Sequence, residues 1–360
     1  MTIPADIIII GGGVIGSSIA FNLLEDGFTG RVVVMERDQS YQFASSALAL
    51  GGVRQQFMSA ISVRMVQYSL RVIEQIPECQ FRKRGYLFLG NESNWPTLKR
   101  RWEIQKSLGV DCELLSKDEV CRLVPELQSD DLVGGLFGPQ DGYVDPRATL
   151  RAFRTGAERL GARYVSGEVE KMEPGPVYVI AAGAYSGTVA EKFGIKVPIT
   201  PVRQQLFRCE LPRPWTYEFP VVIDPGGVHW RSSANNEIVI AKTNPEEPAG
   251  FRFGCDLGRF HAEIMPALTN RLPEFHGLKL VFGWGGLYEM TPDHNGILQK
   301  LSDRLYIAAG FSGHGLMMSA ATGKLMSELI LTGRFQTIDA SILSLDRFAR
   351  GEWIKDEAML

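Results

Sequence analysis

The stretch Asp6-Ile7-Ile8-Ile9-Ile10-Gly11-Gly12-Gly13-Val14-Ile15-Gly16 restricts the fold more than any other part of the chain. Four isoleucines in a row are stiff, β-branched and apolar to either side, the pattern of a strand buried on both faces of a parallel sheet. Ile15, Ile19 and Leu23 follow at helical spacing, and Gly27 stops the helix. The set Gly11-x-Gly13-x-x-Gly16 therefore falls on a strand-to-helix corner, and that context turns a common spacing into a dinucleotide-binding fingerprint. Gly11 permits the tight turn and Gly13 lets the backbone approach a pyrophosphate. Gly16 lets helix and strand pack closely. The phosphate charge meets the free N–H groups of the helix start at Val14 and Ile15.

A second buried strand, Arg31-Val-Val-Val-Met35, ends in Glu36. An acidic side chain at this distance from the glycines accepts from a ribose hydroxyl pair. The fingerprint does not separate a flavin nucleotide from a nicotinamide nucleotide.

Composition narrows the class. Net charge is −3 over 360 residues, which argues against a nucleic-acid or anionic-membrane surface. No apolar run reaches the ~18 residues of a membrane span. The first strand begins without a basic leader, so no signal peptide is expected. Cys79, Cys112, Cys121, Cys209 and Cys255 lack metal or redox spacing and read as reduced thiols of a cytoplasmic protein.

Further along, Phe43 to Phe57 is rich in small residues, including Ser45, Ser46, Gly51 and Gly52, and carries Arg54. Such a segment can lie flat against a bulky ligand, or form an ordinary loop before a helix over Ile61–Ile76 capped by Ser59. The spacing predicts a strand over Gly85–Leu89 and a helix over Trp95–Leu108. A capping box at Ser116–Glu119 opens another short helix. Leu132–Phe137 is strand-like. Asp145 and Pro146 open a helix that stops near Gly161, and Arg163–Val169 returns as a strand to the first sheet.

Val177-Tyr-Val-Ile-Ala181-Ala182-Gly183 and Leu305-Tyr-Ile-Ala308-Ala309-Gly310-Phe-Ser-Gly313-His314-Gly315-Leu316-Met317 repeat the opening's plan of strand, small residues, glycine and helix start. They predict further strands of one parallel sheet, with their glycine corners on one edge. Between them lie short β-rich segments, Val202–Glu210, Val221–Ile223, Val228–Arg231, Glu237–Lys242 and Lys279–Tyr288, separated by Pro/Gly/Asn turns. This is the pattern of an antiparallel sheet, with a helix over Phe260–Leu268. The last helices are expected over Leu316–Leu331 and Ile342–Arg350. Only six residues separate Glu170 from Val177, leaving little room to cross between layers.

These motifs together resemble the D-amino-acid oxidase family of FAD enzymes, most of all its sarcosine oxidase, dimethylglycine dehydrogenase and proline dehydrogenase β-subunit group. The resemblance runs from Asp6 to about Ile330. It is carried by Gly11–Gly16 with Glu36, by Ser45-Ser46 with Gly52-Val-Arg54-Gln-Gln-Phe57, and by Asp141-Gly-Tyr-Val-Asp-Pro146. Ala181-Ala-Gly183, Gly283-Trp-Gly-Gly-Leu-Tyr288-Glu-Met-Thr-Pro-Asp293 and Gly310-Phe-Ser-Gly-His-Gly315 complete it. It implies an α/β (α+β) protein: a discontinuous Rossmann-like FAD-binding domain (residues 1–84, 139–198 and 291–360) with an antiparallel-sheet substrate domain (85–138 and 199–290).

The resemblance also implies roles. Gly11, Gly13, Gly16 and Glu36 would hold the adenosine diphosphate of FAD, with Arg37, Ser45, Ser46 and Gly52 lining the cofactor. Val169 would meet the adenine, and Ala182 and Gly183 the middle of the cofactor. Gly313, His314, Gly315, Leu316 and Met317 would approach the isoalloxazine. Arg54, eight residues beyond the second serine, matches an arginine that binds a substrate carboxylate through two parallel hydrogen bonds. Arg231 and Tyr288 are further candidates for the pocket, whereas His229 and Lys242 read as solvated strand ends.

The chain also departs from the family. The strand Gly285–Tyr288 lacks the cysteine of members with covalent flavin, so FAD is expected to be non-covalent. Met317 stands where sarcosine oxidases carry a lysine. A longer hairpin is usual between Glu170 and Val177; either the meander is short here or a segment is missing, and the second is favoured.

The expected reaction is oxidation of the C–N bond of a small amine or amino acid, by hydride transfer to flavin N5. The electrons then pass to oxygen or to a quinone or carrier. Alternatives are a 2-hydroxy-acid or polyol-phosphate dehydrogenase, and a flavin-binding subunit of an electron-transfer complex. A subunit partner is possible; no nucleic acid and no transmembrane segment are expected.

Overall fold

The computed structural model describes residues 5–356. The outer ends of the expected domain ranges, residues 1–4 and 357–360, lie outside the described residues. Two sheets organise the chain. The first has six strands in the order Ile297–Ser302, Leu305–Ala309, Val177–Ile180, Ile7–Ile10, Val32–Glu36, Arg163–Ser166. All neighbours are parallel except Ile297–Ser302, an antiparallel edge strand the sequence pattern did not single out.

The isoleucine run alternates across this sheet. Ile7 and Ile9, with Val32 and Val34, pack beneath the helices Val14–Glu25, Pro146–Arg159 and Gly315–Thr332 through Ile19, Leu23, Phe153 and Leu325. Ile8 and Ile10, with Val33, Tyr178, Ile180 and Ile307, bury the opposite face. Each such side chain contributes about 2 kcal/mol by burial, so both faces must be covered for the run to stay in register. Two glycines set how closely the layers approach. A methyl on Gly16 would overlap the Gly11 carbonyl oxygen, and one on Gly323 would overlap Ser18 of the crossing helix.

The second sheet has eight strands in the order Lys279–Met290, Thr200–Glu210, Glu237–Lys242, Val228–Ser233, Val221–Ile223, Tyr86–Asn91, Leu132–Gly138, Glu113–Ser116. It is antiparallel except where Val221–Ile223 runs parallel to Tyr86–Asn91. Its rear face, Phe207, Trp230, Ile238 and Ile240, packs on Phe260, Ile264 and Leu268. Those residues belong to a helical stretch, Leu257–Arg271, whose middle turn Phe260–Ile264 is a π-helix. The front face turns toward the first sheet.

One expectation needs correction. The final helix is a short 3₁₀ turn, Ser341–Leu343, and a five-residue helix, Asp346–Arg350. The break places Arg347 where its guanidinium forms a buried pair with Asp293, 2.7 Å from Nε to Oδ2. The connection after Arg163–Ser166 is spanned here by residues 167–176. Ten residues reach ~33 Å, which exceeds three strand spacings of ~4.8 Å plus the length of a short strand. Val169 and Met172 pack on the sheet, and the Glu173 amide donates to the Tyr178 hydroxyl at 2.9 Å.

Candidate active site

One cavity of about 1320 Å³ runs from the glycine corners of the first sheet to the front face of the second. That exceeds the ~300–1,000 Å³ of most small-molecule sites, and its length suits an extended ligand.

At one end the Gly11 turn takes a φ of +103°, a conformation glycine adopts without strain. The amide of Gly12 donates to Glu36 Oε2 at 2.7 Å, and that of Val14 donates to Ser46 Oγ at 3.1 Å. Gly13, Val14, Ile15, Glu36, Arg37, Ser45, Ser46 and Gly52 all line the cavity. Gly16 does not; it serves the packing beneath. Val169 borders the same end, and Arg37 lies over the Tyr185 ring at 3.6 Å, which in turn stacks on Phe251. Ala182 and Gly183 line the middle of the cavity.

At the other end, Gly313, His314, Gly315, Leu316 and Met317 line the wall where the helix Gly315–Thr332 begins. Neither this helix nor Val14–Glu25 is capped by its own N-cap side chain; Ser46 Oγ takes the Val14 amide, and the starts of both helices, with their positive dipole ends, lie at the cavity wall. The two helix starts, the glycine cradle and Glu36 together fit a ligand with a diphosphate at one end and an electron-accepting ring at the other.

Arg54 sits beside the second helix start. It is 1% exposed yet lines the cavity. Its Nη1 donates to Gln56 O at 2.9 Å, Nη2 lies 3.4 Å from His314 Nε2, and the guanidinium stacks on Phe57 at 4.3 Å. Burial, with the charges of Arg54 and His294, pushes the His314 pKa down to about 3, so this imidazole is neutral. Behind Arg54, Asp141 Oδ1 accepts from the Gln55 backbone and side chain. Burial lifts the Asp141 pKa to about 7. Its Oδ2 and Gln56 Oε1 are both buried without a hydrogen-bond partner, and the two side chains abut Gly138 through Asp141 Oδ2 and the Gln56 amide carbon, so a proton on Oδ2 would bring a donor to a place that holds two bare acceptors.

Tyr288 lines the cavity with its ring against Gly313. Arg231 does not reach it. Its Nε donates to Leu50 O at 2.7 Å and its Nη1 to Ser232 O, with the guanidinium over Tyr143, so it ties the sheet to the small-residue segment. The reading of His229 as solvated also fails. Its strand is interior to the sheet, and the ring is buried on the front face where it lines the cavity. Gln204, Tyr86 and His294 line the cavity as well and were missed; strand alternation from Leu206 was the one available signal for Gln204.

The family described as DAO, FAD dependent oxidoreductase, matches residues 6–329. This chain belongs to that family. It is 30% identical over 411 residues to the FAD-dependent oxidoreductase domain-containing protein 1 of Xenopus laevis, covering 96% of this chain and 82% of the relative. The Bos taurus protein of the same name is 29% identical over 423 residues, covering 99% and 87%. That span exceeds the 360 residues present here, so the relative carries residues within the matched region that this chain lacks. Among solved structures, L-proline dehydrogenase from P. horikoshii superposes with a TM-score of 0.90 at 27% identity, covering 98% of this chain and all of the other. Glycine oxidase from Geobacillus kaustophilus shares the fold, with a TM-score of 0.84 at 23% identity. The DAO-family chain is thus an FAD-dependent oxidoreductase. Among the described residues no cysteine borders its cavity, and no helix is long and apolar enough to cross a membrane.

Proposed function

We propose that this DAO-family protein oxidises the C–N bond of a small amino acid, primary or N-alkyl, with Arg54 holding the substrate carboxylate. The observation that carries the reading is the burial of one guanidinium in the cavity wall beside the start of the Gly315–Thr332 helix. FAD, when bound, supplies the hydride acceptor at N5 of its ring. Gly11, Gly13, Val14, Ile15, Glu36, Arg37, Ser45, Ser46, Gly52, Val169, Ala182 and Gly183 would hold the nucleotide, without a covalent bond. Gly313 to Met317 would face the ring. We also keep the division into a discontinuous FAD-binding unit and a substrate unit, which accords with the membership of the two sheets.

The residues of the chain perform the rest. Arg54 pairs with the carboxylate in a two-bond geometry a lysine cannot match. Phe57 behind it and the Gln56 carbonyl fix its plane. Leu50, Leu206, Leu316 and Met317 exclude water, which strengthens that pairing. Tyr288 bounds the space above Gly313. Neutral His314 adds no positive charge where an amine must approach. Orientation in a dry chamber accounts for most of the acceleration.

The test is anaerobic mixing of the yellow holoprotein with amino acids, N-methyl amino acids and 2-hydroxy acids, watching the flavin band. Bleaching by amines alone is expected. Bleaching by 2-hydroxy acids alone would replace the substrate class. No bleaching by any small molecule, with a partner retained on purification, would favour an electron-transfer subunit. A peroxide assay in air then separates oxygen from a carrier as electron acceptor.

A further inference from the structure

The strand Val228–Ser233 alternates strictly. Trp230 points into the rear core, while His229 and Arg231 face front. Arg231 is tied to Leu50 and Ser232, so His229 is what this strand offers the cavity. Its cross-strand neighbours are Ile223 and the small Ala241, which also lines the cavity and leaves the imidazole edge uncrowded. Nδ1 lies 3.2 Å from Gly227 O. A carbonyl oxygen only accepts, so the proton sits on Nδ1, and Nε2 carries a bare lone pair. Burial and the nearby Arg54 charge hold the ring uncharged, with its pKa pushed down to about 4. Arg54 brings only donors to the chamber; His229 brings a fixed acceptor.

We infer that His229 Nε2 accepts the hydrogen bond from the substrate's N–H, so that His229 and Arg54 grip the amine and the carboxylate of one amino acid. The inference rests on the amine-oxidation reading above and adds to it. The site takes amines that keep an N–H available and discriminates against analogues in which oxygen replaces nitrogen. An uncharged amine N–H leaves the nitrogen lone pair free for hydride loss from the neighbouring carbon, and removing the His229 acceptor leaves that N–H unpaired in a water-poor chamber.

The test uses FAD-loaded wild type, His229→Leu and His229→Gln. The probes are two matched pairs, N-methylglycine with methoxyacetate and L-proline with tetrahydrofuran-2-carboxylate. The amines are followed by anaerobic bleaching, and the oxygen analogues by perturbation of the flavin band. In His229→Leu, the bleaching efficiency for amines is expected to fall about ten- to a hundredfold, while affinity for the oxygen analogues stays within about twofold. His229→Gln, whose amide oxygen is again an acceptor, recovers most of the loss. Equal weakening of amines and oxygen analogues, or no change in either, overturns the inference. If no amino acid of the wider panel used above bleaches wild type, the amine reading falls and takes the inference with it; if another amino acid does, it replaces these two as the amine probe. Amines that bleach wild type and His229→Leu alike overturn the inference alone. Analogue binding by each variant reports that its chamber is folded.

Discussion

The two ends of the cavity are built from different materials. The nucleotide end is main chain: amides, glycine corners and a helix start, with Glu36 and Ser46 holding the backbone in place. The end proposed for the substrate is side chain: Arg54, Tyr86, Gln204, His229 and Tyr288 stand on separate strands or loops and line the same cavity. A backbone site fails through crowding and takes the fold with it. A side-chain site can lose one group and keep its frame.

That contrast can be broken most severely at Gly16. Gly16→Val forces a branched side chain into the Gly11 carbonyl and should yield little soluble protein, with no flavin absorbance in what remains. A yellow, stable Gly16→Val protein would refute the crowding argument. Arg54→Met tests the other end. It should remain yellow and melt within a few degrees of wild type, yet lose about a thousandfold in the rate of flavin bleaching, equivalent to ~4 kcal/mol. If Arg54→Met loses its flavin as well, the two ends are not separable.

The finest test is Asp141→Asn. The native-state pKa of Asp141 is raised, so the protein binds a proton there that the unfolded chain has released. Stability from this group is complete below the ordinary carboxylate range near 3.8 and is lost as pH climbs to about 7. Asparagine carries a permanent donor in that place. The melting temperature of Asp141→Asn relative to wild type should therefore rise between pH 5 and pH 8, by an amount corresponding to roughly 2–4 kcal/mol. A difference that stays flat with pH would mean that Asp141 is ionised throughout.

The same contrast governs what could be read from sequence. The nucleotide end is contiguous and periodic. Ile7–Ile10, the three glycines and Glu36 announce a strand, a corner and an acceptor within about 30 residues. The corners at Ala182–Gly183 and Gly310 follow by analogy, and the sheet order bears out the expected parallel sheet. The substrate end depends on which way a side chain points, and that is set by strand register. Arg231 and His229 are two apart and share a face, yet the first is consumed by Leu50 O and the second faces the cavity. No local signal distinguishes them. The edge strand Ile297–Ser302 escaped because its antiparallel partner follows after a turn of only two residues, so the pair reads as one stretch. The raised pKa of Asp141 comes from burial by distant segments, which composition does not record.

The six-stranded sheet has a bearing on biosynthesis. Its Gly11 corner and its Gly310 corner lie roughly 300 residues apart in the chain, and the strand Leu305–Ala309 joins the other parallel strands through its pairing with Val177–Ile180. At ~5–20 residues per second, the ribosome delivers the second corner about 15–60 seconds after the first. A nucleotide that reaches both corners can therefore be held along its whole length only after the second of them has left the ribosome.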